Sequence, residues 1–193
     1  MSLRSAQTNM TELSDDSSQR AYRREDETTQ RHEMTEQDEF LATLFEDVAP
    51  EDVARYDRAE LVAFATAAWM FVAKRVPGEP KIRLTSETYR EGDRRNAISI
   101  LEIVNDDMPF LLSSVLAELA ERKITVQLVA HPVLNVTRDE TGHLIAFSPR
   151  TLLQRRESFI HLHIDRIEED AERNVVVASL AEVDVEMLNL PTR

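Results

Sequence analysis

Two adjacent acids, Asp106 and Asp107, stand where an apolar run gives way to an amphipathic one in the stretch Ile103 to Leu134. With Asn105 before them and Met108 and Pro109 after, they are the most chemically suggestive group in the chain. A carboxylate at a helix start can accept hydrogen bonds from first-turn amides that lack partners, which stabilises by about 0.5 to 2 kcal/mol. One cap needs one acid. The second acid and Asn105 are then spare acceptors suited to an amino group, and the remaining helix amides suit a carboxylate. The plainer expectation is structural: one of Asp106 and Asp107 caps the helix, Phe110 packs inward, and no catalytic step uses Asn105, Asp106, Asp107, Met108 or Pro109.

Other candidate chemistry is weaker. His131, His161 and His163 could be read as metal ligands, but two imidazoles sharing one face of a solvated strand are a common structural outcome and the third has no placed partner. No metal site is expected. Ser113 and Ser114 fall inside a helical pattern rather than on a strained nucleophile elbow. The chain has three glycines, Gly78, Gly92 and Gly142, each alone in a turn. A dinucleotide cradle needs a glycine-rich turn at a helix N-terminus, so no cofactor site is expected. The absence of cysteine excludes disulfides and thiolate metal centres and suits the cytoplasm. A net charge of −13 over 193 residues, with no basic stripe, argues against nucleic-acid and anionic membrane partners. The longest apolar run, Leu61 to Ala73, is helix-length but too short to span a bilayer.

The elements that must position these residues follow from periodicity. Residues 1–34 are polar throughout and hold almost nothing to bury, which predicts a disordered tail. A helical lead-in over 35–77 begins at the Thr35 and Asp38 capping pair, restarts at Pro50, and continues from an Asp57–Glu60 capping box. Its apolar positions Leu61, Phe64, Ala65, Ala68 and Val72 recur at helical spacing until Arg75 and Pro77-Gly78 stop it. From there the period falls to two. Ile82 and Leu84 alternate in a strand, and Ala97 to Val104 is a near-continuous apolar strand suited to the middle of a sheet. A helix opens near Pro109. Ile124 to Val136 reads as one long strand bent at Pro132, Asp139 to Gly142 as a hairpin turn, and Ser158 to Ile167 as an alternating strand. Glu168 to Leu190 is read as helix. One sheet with a helix after every one or two strands predicts an α+β sandwich of two layers.

The stretches "GEPKIRL", "LEIVNDDMPFLLSSVLAEL", "LVAHPVLNVTRDETGHL" and "ESFIHLHIDRI", in this order over most of Gly78 to Ile167, resemble the N-terminal region of bacterial large-subunit NAD-specific glutamate dehydrogenases. The resemblance implies an ACT-like domain, a ferredoxin-like split βαβ sandwich over 78–193, preceded by the N-terminal helical extension and the disordered tail. It implies a parent enzyme that oxidatively deaminates L-glutamate to 2-oxoglutarate with NAD, its catalytic domain far downstream. The region itself would then be a non-catalytic regulatory or assembly region holding no cofactor. Its implied partners are the remainder of the parent dehydrogenase, further copies in a homo-oligomer and an amino-acid effector. The alternative is a purely structural oligomerisation module with no ligand. ACT modules that bind amino acids usually have a glycine just after the loop's proline, and this chain has Phe110 there.

Overall fold

The computed structural model describes residues 35–149 and 151–188. The tail expected over residues 1–34 lies outside them. The N-terminal layer opens with α1 (Glu36–Leu44), whose capping box joins Thr35 and Asp38 as the sequence predicts. A single turn, α2 (Pro50–Val53), starts on its proline, and α3 (Arg58–Val72) starts on the expected Asp57–Glu60 capping box. Each box satisfies two otherwise unpaired groups at a helix start, which is why the boundaries were legible.

Two long strands follow, β1 (Lys81–Glu91) and β2 (Arg94–Asp106), paired antiparallel around Gly92, which turns at a φ of 63°. Next come α4 (Leu111–Glu121), β3 (Val126–Ala130), β4 (Val133–Arg138), β5 (Leu144–Ser148), β6 (Arg155–Asp165) and α5 (Asp170–Leu188). The sheet order is β1-β2-β6-β4-β5, with β3 also paired to β6. Both β2 and β3 run antiparallel to β6, so they are parallel to each other, joined through α4 with β6 inserted between them. This is the split βαβ arrangement. The long strand expected over Ile124 to Val136 is two strands lying end to end along β6. Pro132 has no N–H to give to the ladder, yet its carbonyl accepts from the Phe159 amide at 3.1 Å, so the break costs the sheet little pairing.

Both faces of the sheet are buried. On one, α4 and α5 pack Leu111, Val115, Leu119, Val176 and Leu180 onto Leu101, Ile103, Ile160, Leu162 and Ile164. This is the two-layer sandwich. On the other face the N-terminal helices lay Phe40, Leu44, Phe64, Ala68 and Val72 over Ile100, Val104, Leu134, Val136 and Phe159. The helical extension is thus a third layer, and β2 and β6 are covered on both sides, in keeping with their near-continuous apolar sequence. Phe40 anchors the layer, its ring 5.3 Å from that of Trp69 and 5.8 Å from that of Phe159.

Candidate functional site

The loop from Asn105 to Phe110 sits where β2 leaves the buried centre of the sheet. Asn105 is fully buried, and its Oδ1 accepts from the Asp106 amide at 2.8 Å and from Arg75 Nη2 at 3.2 Å. Two donors on that atom fix the orientation of the amide and leave Nδ2 buried with no partner. Asp106 Oδ1 accepts from Arg75 Nη1 at 2.9 Å. Asp107 pairs with Arg156 Nη2 at 3.0 Å, while its own amide donates to the Arg156 carbonyl at 3.1 Å.

Neither acid caps α4, contrary to the sequence expectation. The N-cap is Phe110, which makes no side-chain bond to the helix, and the Ser114 amide and Ser113 hydroxyl both donate to the Phe110 carbonyl. Both carboxylates are turned instead toward arginines brought from distant elements, Asp106 to Arg75 and Asp107 to Arg156, in charge-assisted bonds. The expectation that Phe110 packs inward fails as well: it is 76% exposed. Its backbone is left-handed, with φ 68° and ψ −2°, which turns the ring outward while Leu111 takes the core position. An L-residue in that conformation costs about 1 to 2 kcal/mol, a cost glycine does not bear. Met108 packs partly onto the core, and Pro109 is exposed one residue ahead of the helix cap.

Beneath the loop lies a buried ionic network that the sequence did not reveal. Arg75 is almost fully buried and donates to Asp106, Asn105, the Glu79 carbonyl and Glu157 Oε1, the last at 2.9 Å. Glu157 is also held by Arg138, through Nε at 2.8 Å and Nη2 at 2.7 Å. Arg138 further donates to the Val72 and Gly142 carbonyls, which ties the C-terminal end of α3 and the β4–β5 hairpin to the sheet. Two guanidinium groups against the carboxylates of Glu157 and Asp106 balance in charge, and nearly every donor is used, which is what a buried ion network requires.

A second buried constellation lies on the other end of the sheet's helical-layer side. Arg83 Nε donates to Glu102 Oε2 at 2.6 Å, Glu102 Oε1 meets His161 Nδ1 at 3.2 Å, and His161 Nε2 meets His163 Nε2 at 3.0 Å. Both histidines are fully buried, because the helical layer covers the strand face read from sequence as solvated. The His163 ring packs edge-on to Tyr56 and Phe64, and its Nδ1 has no partner. Burial first, then the neighbouring His161, pushes its pKa well below the ordinary imidazole value. An acid inside the apolar run of β2, Glu102, was the one signal in the sequence for this chain of groups. His131 is not part of it, although neighbouring Ala130 pairs with His161; its Nε2 lies 2.6 Å from the Ser158 hydroxyl. Among the described residues no three His, Cys, Asp or Glu side chains converge on a metal position. Ser113 and Ser114 lie in the first turns of α4, as expected.

Among the described residues no helix is long and apolar enough to cross a membrane. The family described as glutamate dehydrogenase, ACT1 domain, matches residues 40–180. The NAD-specific glutamate dehydrogenase of Halomonas elongata is 31% identical over 156 residues, which cover 79% of this chain and 10% of that protein. The enzyme of the same name from Pseudomonas aeruginosa is 24% identical over 147 residues, 75% of this chain and 9% of that protein. The chain therefore spans about a tenth of the length of these relatives. No solved structure matches it. With the split βαβ sheet and its loop at the end of β2 in view, the chain belongs to the glutamate dehydrogenase ACT1 domain family.

Proposed function

We propose that this chain is a non-catalytic regulatory and assembly region of a cytoplasmic NAD-specific glutamate dehydrogenase, whose chemistry, oxidative deamination of L-glutamate to 2-oxoglutarate with NAD, is done elsewhere in the parent. The helical lead-in of 35–77 and the ACT-like part of 78–193 act as one body, because Arg75 and Arg138 bind the first to the second. One observation favours assembly over ligand capture: the acids of the loop are already committed to Arg75 and Arg156, while Phe110 is held outward in a backbone conformation it would not choose. Leu152, 73% exposed shortly before β6, and Val76, 50% exposed shortly before β1, stand at the same end of the sheet. An apolar rim of this kind is suited to contact with the remainder of the parent dehydrogenase.

The test is the parent enzyme carrying Phe110→Ser and Leu152→Ser. The expected result is an altered assembly state or a lower dissociation midpoint with kcat per assembled enzyme unchanged. Unchanged assembly would remove the reading. A second reading, an amino-acid effector at the loop, is favoured by one observation, the buried and unpartnered Asn105 Nδ2, which could donate to a ligand carboxylate.

A further inference from the structure

The hydrogen bonds around the two buried imidazoles of β6 fix where their protons lie. With Glu102 ionised against Arg83, His161 Nδ1 donates to Glu102 Oε1, and His161 Nε2 is left to accept from His163 Nε2 at 3.0 Å. His163 Nδ1 is then an unprotonated nitrogen, buried and without a partner. One further proton on the pair, whichever ring carries the charge, puts an N–H at His163 Nδ1, a buried donor with no acceptor beside a buried charge. The surrounding groups do not offset that charge. Arg83 already neutralises Glu102, and Arg55, which bonds Tyr89 Oη and Gln127 and pairs with Glu91, adds a second positive field at His163. Asp165 accepts from Gln127, and burial pushes the Tyr56 phenol up, so it brings no negative charge. An open groove of about 320 Å³ between α3 and β1 reaches His161, but of its outer acids Glu60 is taken up by the Asp57 and Arg90 amides and Glu87 is exposed.

What covers the pair is one stretch of chain. Phe45 stands edge-on to His161 with ring centroids 5.8 Å apart, and Tyr56 and Phe64 stand edge-on to His163 at 4.9 and 5.1 Å. All three lie between the end of α1 and the second turn of α3. The far end of α3 is fastened differently. Arg138 donates to the Val72 carbonyl, the Leu144 amide to the Ala73 carbonyl, the Arg75 amide to the Gly142 carbonyl, and Lys81 Nζ to the Phe71 and Lys74 carbonyls. None of these bonds uses an imidazole or a carboxylate. We propose that residues 45–64 form a lid over β6, hinged by these bonds at the end of α3 and lifted when the histidine pair takes up a proton. The depressed pKa of His163 sets the direction: the closed lid is fully favoured above the pKa of an exposed imidazole, about 6.5, and loses that advantage as pH falls toward the folded value. Residues 35–77 and 78–193 therefore act as one body above that pH, and below it the join persists at Arg75 and Arg138 alone. The lid is independent of what the Phe110 end of the sheet contacts.

Amide hydrogen exchange of this chain, read peptide by peptide at pH 7.5 and 5.5 and corrected for the intrinsic effect of pH, tests the lid. Uptake of one proton on opening raises the opening constant about tenfold between these values. Peptides within residues 45–64 should lose protection by that factor. At both pH values they should be less protected than residues 68–75 and than α4, and low urea should leave their exchange unchanged, because a local opening exposes little surface. In the double variant His161→Asn, His163→Phe, which leaves no imidazole in the pair, the tenfold fall should vanish. Lid peptides as strongly protected as α4 and equally sensitive to urea would mean that the stretch opens only with the whole chain, and would overturn the proposal. So would lid protection that does not change with pH, or a fall that persists in the double variant; if that variant does not fold, the wild-type pattern decides.

Discussion

Residue by residue, the region around Asp106 is governed by arginines rather than by helix capping. Glu157 is the critical member: it is completely buried and touches both Arg75 and Arg138. Glu157→Gln would leave two buried guanidinium groups with Asp106 as the remaining carboxylate, and the expected loss is about 3 to 5 kcal/mol of unfolding free energy, read from denaturant midpoints. Phe110 moves the other way. Phe110→Gly removes the left-handed strain while adding unfolded-chain entropy, so a gain of a few tenths to about 1 kcal/mol is expected. A loss would mean that the exposed ring contributes packing not evident from its surroundings. These roles were not legible in the sequence for a physical reason: Arg75, Arg138 and Glu157 are up to 82 positions apart and carry no mutual spacing, and only the sheet brings them together. The acids themselves were legible, as a group at a strand-to-helix junction, but their partners were not.

At the scale of elements, boundaries set by local chemistry were read correctly and those set by tertiary packing were not. The capping boxes of α1 and α3 and the asparagine-free turn at Gly92 announce themselves within four residues. The valine-rich segment is helix α5 because its Val176 and Leu180 bury against the sheet at helical spacing. The faces of β6 were misjudged, since alternation of Phe159, His161 and His163 with Ile160, Leu162 and Ile164 resembles a half-solvated strand until a third layer covers it. That layer carries a pH consequence. His163 has a folded pKa well below its unfolded value, so the unfolded chain binds more protons once pH falls below the unfolded value of about 6.5. Stability is therefore full above that pH and declines as pH drops toward the folded pKa. His131, lowered by desolvation, acts in the same direction. Urea midpoints at pH 7.5 and 5.5 should differ in that sense, and His163→Phe should narrow the difference; an unchanged slope would remove His163 as its source. The hairpin docking is equally specific. A Cβ on Gly142 would lie 2.3 Å from the Arg75 carbonyl oxygen, at a φ of 84°. Gly142→Ala should accordingly lower the melting temperature by several degrees, given that about 1 kcal/mol shifts a domain of this size by roughly 2 to 4 °C.

For the whole molecule, an acidic body of three layers presents an apolar rim of Phe110, Leu152 and Val76 at one end of its sheet, beside the Asp107–Arg156 ion pair. Contact surfaces were invisible to composition, because a net charge of −13 averages over them. The family, by contrast, was legible in four quoted stretches, which fall where the sheet and the loop are. The central claim is that the loop after β2 works by contact, its acids being internally paired, rather than by holding a free amino acid. Isothermal calorimetry of this chain against the twenty amino acids at millimolar concentration tests it most directly. The account predicts no saturable heat. A saturable signal for any of them, lost in both Asp106→Ala and Asp107→Ala while the melting temperature is retained, would contradict it.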